Sequence, residues 1–593
     1  MKYERIQKAV FIERPNRFIA YVELDGKKET VHVKNTGRCA ELLRPGAVIY
    51  LQESDNPDRK TKWDLIAVEK PLENGHGYRL INMDSQIPNK VVAEWIGQGG
   101  FFPQVTLIRP ETTYGNSRFD LYVEAGNTEA EKRRIFIEVK GVTLEEDGVC
   151  RFPDAPSDRA VKHLEEMIRA KKDGYETYVF FVIQMKGVRY FTPNTDTHPE
   201  FAEALKKAKA AGVEILAYDC KVTPDSIVAD EPVEVVLRSP RLKECAPLLM
   251  EWFAANKRDL PWRRRMDAYR VWISEIMLQQ TRVEAVKPYY ERFLKELPDV
   301  KALAEVSEDR LLKLWEGLGY YNRARNLKEA ACQIMEEHGG VFPETYEEIR
   351  ALKGIGSYTA GAVSSFVYDI RKPAVDGNVL RVVTRITADA DDITKAGTKT
   401  KIEADVEEVI PKSHAGDFNQ SLIELGALVC VPNGEPKCGE CPVSHLCLAY
   451  EQGREMEFPV KAKAKGRRIQ KRTVLIFRDN DKTAIRKRPD TGLLAGMYEF
   501  PSVEGHLRQA EVIEYGKRLG LMPVRVKRLE NAKHIFSHVE WHMTGYEIVV
   551  DELEQHMRGA GREKGEEDII FADIQELKEY YPMPSAFEAY CPV

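Results

Sequence analysis

The chain has 593 residues and a formal net charge of −6 at pH 7, with 43% hydrophobic and 31% charged residues. This length exceeds what one hydrophobic core usually serves, so the sequence predicts three or more domains. No apolar run approaches the roughly 18 to 20 residues of a membrane span, and the first residues lack the apolar core of a secretory signal. We therefore expect a cytoplasmic protein that makes no membrane contact.

The first third of the chain has the pattern of short strands followed by alternating strands and helices. Strands are expected at 17–24, 29–34 and 47–52, where glycine turns separate β-rich segments. Further strands are expected at 134–139 and 175–183, and helices at 157–173 and 199–211. This alternation favours a partly parallel sheet covered by helices. The segment 230–236, rich in Val, Pro and Glu, is predicted to be a linker.

Three polar residues of this region form a set that can bind a divalent cation. Glu138 and Lys140 stand at positions i and i+2 of a predicted strand, so both side chains point to one face. With Asp120 on a neighbouring strand they can hold Mg²⁺ or Mn²⁺ and polarise a water molecule. An exposed ion pair between Glu138 and Lys140 is the alternative that the pattern leaves open.

From residue 239 to about 450 the pattern is helical almost throughout, and four cysteines lie together near its end. Their spacing is Cys430-x7-Cys438-x2-Cys441-x5-Cys447. Thiolates at such separations can ligate a [4Fe–4S] cluster, each corner of which needs one soft ligand. A structural zinc site is the alternative.

Two glycines separate a pair of helices in the same region. Thr345 and Glu348 form a capping box that opens the first helix, and Gly354 and Gly356 precede a helix of small residues at 358–367. Glycines let the backbone turn sharply, so that the amides of the second helix can face a phosphate. The pattern favours a helix-hairpin-helix, and an ordinary turn between helices remains the alternative.

Several ordered motifs join this hairpin. They are Leu260-Pro-Trp-Arg263, the run 272–281, the run 315–326, Asp376-Gly-Asn378 and Phe418-Asn-Gln420. Asp376-Gly-Asn378 alone is explained by a helix N-cap. Taken together, the motifs closely resemble the adenine DNA glycosylase (MutY) family, and the resemblance covers residues from about 239 to the C-terminus.

The resemblance implies the removal of adenine paired with 8-oxoguanine or guanine in double-stranded DNA. Glu275 would protonate the adenine at N7, and Asp376, beside Asn378, would stabilise the positive charge on the sugar. Cleavage through an oxocarbenium ion needs two carboxylates with separated pKa values, and the base must first flip out of the duplex. Tyr358 stands where strand-cutting relatives carry a lysine nucleophile, so a monofunctional enzyme is expected.

The same resemblance assigns contacts to the DNA and the base. Gln280, Thr281 and Tyr320 would fill the gap that the flipped base leaves, and Gly354 and Gly356 would face the backbone. The adenine pocket would contain Arg258, Trp262, Arg263 and Gln420. The four cysteines would hold a [4Fe–4S] cluster, although their first gap has seven residues where the family usually has six.

β-rich sequence returns from Thr473 to the end. The runs 492–501 and 534–538 resemble the Nudix-like reader domain of this family, in which Phe536, Ser537 and His538 would sense 8-oxoguanine. The glutamates that bind magnesium in active Nudix hydrolases are missing, so no pyrophosphatase is expected. The preceding basic residues suit either a tether beside DNA phosphates or a solvated linker: Lys461, Lys463, Lys465, Arg467, Arg468, Lys471 and Arg472.

Residues 1 to about 230 resemble a different family, the sugar fermentation stimulation protein A family. The resemblance rests on Asn35-Thr36-Gly37, Ser54-Asp-Asn-Pro57, Ser117-Arg-Phe-Asp120 and the runs 137–143, 152–155 and 212–218. It implies an OB-type barrel joined to a restriction-endonuclease-like core, with Asp120, Glu138 and Lys140 as a nuclease-like site. A DNA-binding or regulatory module without catalysis is the alternative.

The expected architecture is therefore multidomain. An OB-like β-barrel (1–80) and a restriction-endonuclease-like α/β domain (81–232) precede an all-α helix-hairpin-helix glycosylase domain with an iron–sulfur loop (239–455). A basic linker (456–472) leads to an α+β Nudix-like domain (473–593). We expect a monomer that acts on double-stranded DNA containing A:8-oxoguanine or A:G mismatches.

Overall fold

The computed structural model describes residues 1–35, 37–56, 58–72, 77–115, 117–128, 131–462, 466–551 and 569–591. The chain forms two compact units, Met1–Lys243 and Glu244–Val593. Of the positions singled out in the sequence, Thr36, Pro57, Lys463 and Lys465 lie outside the described residues. None of the helices described combines the length and the apolar composition that crossing a bilayer requires.

The N-terminal part of the first unit is a β-barrel. Its strands are β1 (Ile6–Asn16), β2 (Ile19–Leu24), β3 (Lys27–Val33), β4 (Val48–Glu53), β5 (Trp63–Pro71) and β6 (Tyr78–Asn82). Their order is β3-β2-β1-β4-β5-β6, and an additional pairing of β3 with β5 closes the sheet. Along β2, Ala20, Val22 and Leu24 are buried while their neighbours are not, as the two-residue period of a half-buried strand requires. The predicted OB-like barrel is confirmed.

A mixed sheet covered by helices follows the barrel. Its strands are β7 (Val105–Tyr114), β8 (Ser117–Ala125), β9 (Arg133–Val142), β12 (Glu176–Ile183), β14 (Glu214–Thr223) and β15 (Ser226–Pro232), in the order β15-β14-β12-β9-β8-β7. The helices are α1 (Ile87–Gly97), α2 (Asp158–Lys172) and α3 (Pro199–Ala210). β9, β12 and β14 run parallel, and β12 is buried along almost its whole length, as in strands covered on both faces. The predicted partly parallel sheet is therefore present.

The segment 230–236 is part of the fold of the first unit, so its prediction as a linker is wrong. A small second sheet consists of β10 (Leu144–Glu146), β11 (Val149–Phe152), β13 (Tyr190–Pro193) and β16 (Glu234–Val235). β15 extends to Pro232, and Val236 after β16 is completely buried. A short edge strand contains so few apolar residues that its pattern does not differ from that of a loop.

The strand β16 determines how far the C-terminal end of the first unit can be shortened without loss of stability. We expect a fragment of residues 1–238 to have a higher free energy of unfolding than a fragment of residues 1–231, which lacks β16 and Val236. Burying one valine contributes about 1.5–3 kcal/mol, and the Val236 amide also donates to the Phe191 carbonyl (2.9 Å). Urea unfolding of the two fragments measures the difference, and equal stability would contradict this role of β16.

A buried ion-pair cluster joins the barrel to the α/β core. Glu145 on β10 is 3% exposed and pairs with Lys70 Nζ of β5 and Arg79 Nη1 of β6, each at 2.7 Å. At the end of β6, the Asn82 amide donates to the Gln184 carbonyl (2.9 Å), and Gln184 Nε2 donates to Asn82 Oδ1 (3.0 Å). Removing one partner of a buried ion pair costs about 3–5 kcal/mol, so these contacts hold the two parts in one arrangement.

A helical bundle follows. Its helices are α4 (Pro240–Asn256), α5 (Pro261–Arg264), α6 (Ala268–Leu278), α7 (Val283–Glu296), α8 (Val300–Glu305), α9 (Glu308–Trp315), α10 (Asn322–Glu337), α11 (Tyr346–Ala351), α12 (Ser357–Tyr368), α13 (Gly377–Thr387), α14 (Ala396–Val409), α15 (Ala415–Leu428) and α16 (Leu448–Glu451). Thr345 caps α11 by accepting a hydrogen bond from the Glu348 amide (3.3 Å), as its sequence predicts. Trp272 and Trp315 are among the largest buried side chains of this core.

In its described residues, the C-terminal part is a sheet with two α-helices. Its elements are β17 (Arg468–Asp479), β18 (Lys482–Lys487), β19 (Tyr498–Glu499), β20 (Ser502–Glu504), α17 (Gln509–Arg518), β21 (Pro523–Ile535), β22 (Val539–Val550), β23 (Ile569–Ala572) and α18 (Ile574–Glu579). The predicted linker 456–472 is too long at its C-terminal end, since β17 begins at Arg468. Arg472 lies 4.3 Å above the Trp541 ring and thus packs on the sheet. The charges of this strand hid its alternation in the sequence.

Candidate functional site

A cavity of about 660 Å³ lies within the helical bundle. It brings together residues of α5, α6, α12, α13 and α15 that are far apart in the sequence. The predicted site residues that line it are Arg258, Trp262, Arg263, Glu275, Gln280, Thr281, Tyr358, Asp376, Asn378 and Gln420. The predicted catalytic residues and the predicted base pocket therefore line the same cavity.

Glu275 lies on α6 and is almost completely buried at this cavity. Burial raises the pKa of Glu275 to about 7, against the hydrogen bond that the Tyr358 hydroxyl donates to Glu275 Oε2, while the nearby Asp376 adds to the rise. A carboxyl group with this pKa keeps its proton in a large fraction of molecules at neutral pH. It can therefore deliver a proton to a bound base.

Asp376 caps the N-terminus of α13. Its Oδ1 accepts hydrogen bonds from the amides of Asn378 and Val379, both at 2.8 Å, and its Oδ2 accepts one from Asn378 Nδ2 (2.7 Å). Burial raises the pKa of Asp376, and these three donors oppose the rise. Because the donors and the helix terminus favour the charged form, Asp376 is the better of the two carboxylates at remaining ionised. Capping thus orients the Asp376 carboxylate. The N-cap interpretation of the motif and the catalytic interpretation are therefore compatible.

Two arginines of α13 connect this site with the cysteines. Arg381 Nη2 donates to Asn378 Oδ1 (2.9 Å), and Arg381 Nε donates to the Cys430 carbonyl (2.7 Å). One turn later, Arg385 Nη1 lies 3.2 Å from Cys430 Sγ, and the Arg385 carbonyl lies 3.3 Å from Cys447 Sγ. The sequence analysis missed both arginines, although a basic residue in a strongly apolar helix is a signal for a buried partner.

The two arginines of the predicted base pocket are held by a carboxylate that the sequence analysis missed. Glu424 on α15 is completely buried and pairs with Arg258 Nη2 (2.8 Å) and Arg263 Nη2 (3.1 Å). Burial alone would raise the pKa of Glu424, but the arginines lower it to about 2. Gln420 Oε1 accepts from Arg263 Nε (3.0 Å), which turns the amide nitrogen of Gln420 away from the arginine. The one-turn spacing of Gln420 and Glu424 was the available signal.

All four predicted ligand cysteines line one small cavity at the end of the bundle: Cys430, Cys438, Cys441 and Cys447. Within the described part of the chain, no three of their sulfur atoms lie within 4.8 Å of one another. A tetrahedral zinc site with Zn–S bonds of about 2.3 Å would bring the sulfurs to about 3.8 Å. Among the described residues, the arrangement of the four cysteines therefore does not favour the zinc alternative.

The two hairpin glycines form the turn between α11 and α12. Gly354 has a φ of +74°, and a Cβ atom there would lie 2.6 Å from Asn326 Cβ, so both the conformation and the space require glycine. Gly356 is the N-cap of α12, whose first amides have no acceptor within the helix. This geometry agrees with the predicted helix-hairpin-helix.

Tyr320 and the three predicted reader residues line a second cavity, of about 630 Å³. The Ser537 hydroxyl lies 3.4 Å from the Tyr320 hydroxyl, and Phe536 packs edge-on against Trp541. Tyr320, half exposed, also has a left-handed backbone with a φ of +48°. Phe536, Ser537 and His538 therefore meet a residue of the helical bundle more than 200 positions earlier in the chain.

In the first unit, the three predicted cation-binding residues also come together, on β8 and β9. Lys140 Nζ lies 2.5 Å from Glu138 Oε1, and Asp120 Oδ2 accepts from the amide of Val139 next to Glu138 (2.8 Å). His163 of α2, which the sequence analysis missed, also contacts Glu138 Oε1. Glu138 is 1% exposed, so the alternative of an exposed ion pair is wrong.

The second oxygen of Glu138 is the notable feature of this group. Glu138 Oε2 is buried and has no hydrogen-bond partner among the described residues. Burial alone would raise the pKa of Glu138, but His163 and Lys140 hold it below its usual value. The structure thus presents an ionised, buried carboxylate with one oxygen left to a ligand.

Comparison with known proteins assigns each part of the chain. Family models match as the SfsA N-terminal OB domain (12–77), the sugar fermentation stimulation protein RE domain (86–226), the HhH-GPD superfamily base excision DNA repair protein (273–412) and the NUDIX domain (472–591). A sugar fermentation stimulation protein homolog of Clostridium beijerinckii is 57% identical over 237 residues, which are 40% of this chain and 100% of that protein.

Two solved structures are similar to separate parts of the chain. The structure of Pyrococcus furiosus SfsA in complex with Ca²⁺ is 27% identical and covers 40% of this chain and 97% of its own, with a TM-score of 0.34. A thermostable thymine-DNA glycosylase is 28% identical and covers 36% of this chain and 98% of its own, with a TM-score of 0.33. By its domains and its relatives, the chain belongs to the sugar fermentation stimulation protein family, to which it adds a base excision DNA glycosylase domain and a NUDIX domain.

Proposed function

We propose that the part of the chain after about residue 239 is a monofunctional adenine DNA glycosylase that acts on adenine paired with 8-oxoguanine or guanine. The observation that carries the proposal is that two buried carboxylates, Glu275 and Asp376, line one cavity together with Tyr358. Burial raises the pKa of Glu275 to about 7, whereas three hydrogen bonds oppose the rise at Asp376, and base release requires such a difference between two carboxyl groups. Tyr358 has no amine, so it cannot form a Schiff base with the sugar.

In the proposed reaction, Glu275 donates its proton to N7 of the flipped adenine. The C1′–N9 bond then breaks, its electron pair leaves with the base, and the carboxylate of Asp376 stabilises the positive sugar. Water adds at C1′ and gives up a proton to a carboxylate, which leaves an abasic site. General acid catalysis of this kind increases the rate about 10²–10⁴-fold. In this proposal, Gln420 and Glu424 form the wall of the cavity against which the base would lie.

A duplex with a labelled adenine strand opposite 8-oxoguanine tests the proposal. After incubation with the full chain, we expect strand breaks only in the half of the sample that is treated with alkali, because a monofunctional enzyme leaves the backbone intact. The same duplex with A:T is the control. Breaks without alkali would contradict the monofunctional assignment, and intact strands after alkali would contradict the glycosylase.

Adenine release should slow as the pH rises above neutrality. Burial raises the pKa of Glu275 to about 7, so the acid form is present below that pH and is lost above it. A carboxyl group with an ordinary pKa would already be ionised throughout this range. We expect single-turnover rates to fall by about tenfold per pH unit above pH 7. A flat profile between pH 6 and pH 9 would exclude Glu275 as the acid.

The four cysteines are proposed to hold a [4Fe–4S] cluster. When bound, the cluster would act as a covalent cross-link between Cys430 at the end of α15 and the loop from Cys438 to Cys447. Arg385 Nη1 lies 3.2 Å from Cys430 Sγ, so this ligand position is tied to α13. Through Arg381, the same loop is joined to the residues that orient Asp376.

A second candidate function concerns the first unit, for which we propose a metal-dependent nuclease site at Asp120 and Glu138. The supporting observation is the buried and unpartnered Glu138 Oε2 beside a second carboxylate. Such a pair can hold a divalent cation that activates water, and Lys140 can neutralise the charge that develops on a phosphate.

We expect the full chain to cut undamaged single-stranded or duplex DNA with Mg²⁺ or Mn²⁺ present, and Glu138→Gln to remove this activity. Losing an outer-shell partner of a metal site already costs about 10–100-fold, and Glu138 would be a direct ligand. Glu146→Gln, an exposed acid paired with Arg151, is the matched control. Metal-dependent cutting that survives Glu138→Gln, or no cutting at all, would favour the non-catalytic DNA-binding module.

A further inference from the structure

One arginine contacts both of the loops that carry Gln280 and Tyr320, the residues expected to fill the gap that the flipped base leaves. Arg323 stands at the start of α10, and its guanidinium donates hydrogen bonds to five backbone carbonyls. Burial lowers the pKa of Arg323 to about 10, so it remains charged at neutral pH. All five of these hydrogen bonds end on backbone oxygens, so the guanidinium fixes the backbone of two separate segments.

One nitrogen of Arg323 binds the C-terminal end of α6, the helix that carries Glu275. Nη1 donates to the carbonyls of Ile276 (2.7 Å), Met277 (3.1 Å) and Gln279 (2.7 Å). The last carbonyls of a helix have no partner within it, and a cation there is stabilised by the helix dipole. Arg323 therefore fixes the last turn of α6, which follows Glu275 directly and leads into Gln280.

The other terminal nitrogen of Arg323 binds the loop between α9 and α10. Nη2 donates to the carbonyls of Leu318 and Gly319, both at 3.1 Å. Tyr320 follows at once, and its ring lies 5.6 Å from the guanidinium. Gln280 and Tyr320 are thus each one residue beyond a carbonyl that Arg323 holds.

These two residues also share an unfavourable backbone. Gln280 has a φ of +59° and Tyr320 a φ of +48°, in the left-handed region that residues other than glycine rarely adopt. Both side chains are exposed. Such conformations persist only where the surroundings fix them, and Arg323 is the shared neighbour of both.

We propose that Arg323 is the positioning residue that sets the spacing of Gln280 and Tyr320, so that both enter the duplex together when the adenine flips out. The inference rests on the proposed glycosylase function. The guanidinium is suited to the task because its donors diverge in a rigid plane, whereas a lysine has its donors on one atom. Arg323 acts on base flipping, and it contacts neither the base nor the reacting sugar.

The test compares Arg323→Met with the unaltered chain on two duplexes. Both contain the same A:8-oxoguanine pair, and in one of them mismatches on either side lower the cost of unstacking the adenine. On the fully paired duplex, we expect single-turnover release to be about 10–100-fold slower in the variant, because several charge-assisted hydrogen bonds are lost. On the mismatched duplex, the rates of variant and unaltered chain should differ by less than about threefold.

A loss of folded protein would lower both rates by the same factor, so the ratio between the two duplexes separates positioning from stability. Arg371→Met is the matched control, because Arg371 Nε also donates to a backbone carbonyl, that of Ile410 (2.9 Å), which belongs to neither loop. Arg323→Lys keeps the charge and should show the same duplex dependence. Equal slowing on the two duplexes would overturn the inference, whereas an inactive unaltered chain would overturn the glycosylase proposal itself.

Discussion

The substitution Glu275→Gln is expected to slow adenine release by about 10²–10⁴-fold, which is the usual contribution of general acid catalysis. Glutamine keeps the shape of the side chain and can still accept the hydrogen bond from Tyr358, but it has no proton to give to the leaving base. Binding of an A:8-oxoguanine duplex should change little, because Glu275 is buried at the bottom of the cavity. Single-turnover rates and a binding titration on the same preparation separate the two effects.

Glu284→Gln is the control for this prediction. Glu284 is an exposed acid on α7 that pairs with Lys287 one turn away, so its substitution makes the same chemical change at a residue that does not line the cavity. Its release rate should stay within about twofold of the unaltered chain, since surface ion pairs contribute little. A Glu275→Gln variant that releases adenine at the unaltered rate would mean that another group delivers the proton.

The substitution Cys438→Ser is expected to remove the brown colour of the purified protein and to weaken duplex binding by at least about tenfold. Three thiolates cannot satisfy the four corners of the cluster. The loop from Cys438 to Cys447 has only single-turn helices of its own, Cys438–Glu440 and Ser444–Leu446, so a bound cluster would add most of its cross-links. Visible absorbance, iron content and duplex affinity should therefore fall together.

Cys332→Ser is the control for the cluster prediction. Cys332 is a partly buried cysteine on α10 that does not line the cavity of the four ligands. Its substitution should leave the colour and the affinity unchanged. Colourless protein that contains one zinc ion per chain would exclude the cluster, and so would a Cys438→Ser variant that keeps its full iron content.

The sequence predicts those features that depend on neighbouring residues or on ordered motifs. The strands of the barrel follow from alternation over a few residues, and the hairpin follows from Gly354 and Gly356 between two helical segments. Glu275 and Asp376 could be singled out because their motifs are long and local. The difference between their environments could not be predicted, because burial and hydrogen bonds determine the pKa of each group.

The residues that the sequence did not reveal are those whose partners are remote. Glu424 is defined by Arg258 and Arg263, more than 150 positions away, and Arg323 by carbonyls of another helix. A backbone carbonyl leaves no trace in the sequence, so the role of Arg323 has no motif. The error at 230–236 has a similar cause, since β16 pairs with β13, some forty residues earlier.

The ion pairs of Glu145 have a consequence for the history of the first unit. Two separate family models cover its barrel and its α/β core, which suggests parts that could be exchanged between proteins. A core without its barrel would lose both Lys70 and Arg79 and would expose the unpaired Glu145 carboxylate. A barrel without its core would leave two cations with no counter-charge. A new partner for either part would therefore have to supply matching charges at this cluster, which favours keeping the barrel and the core together.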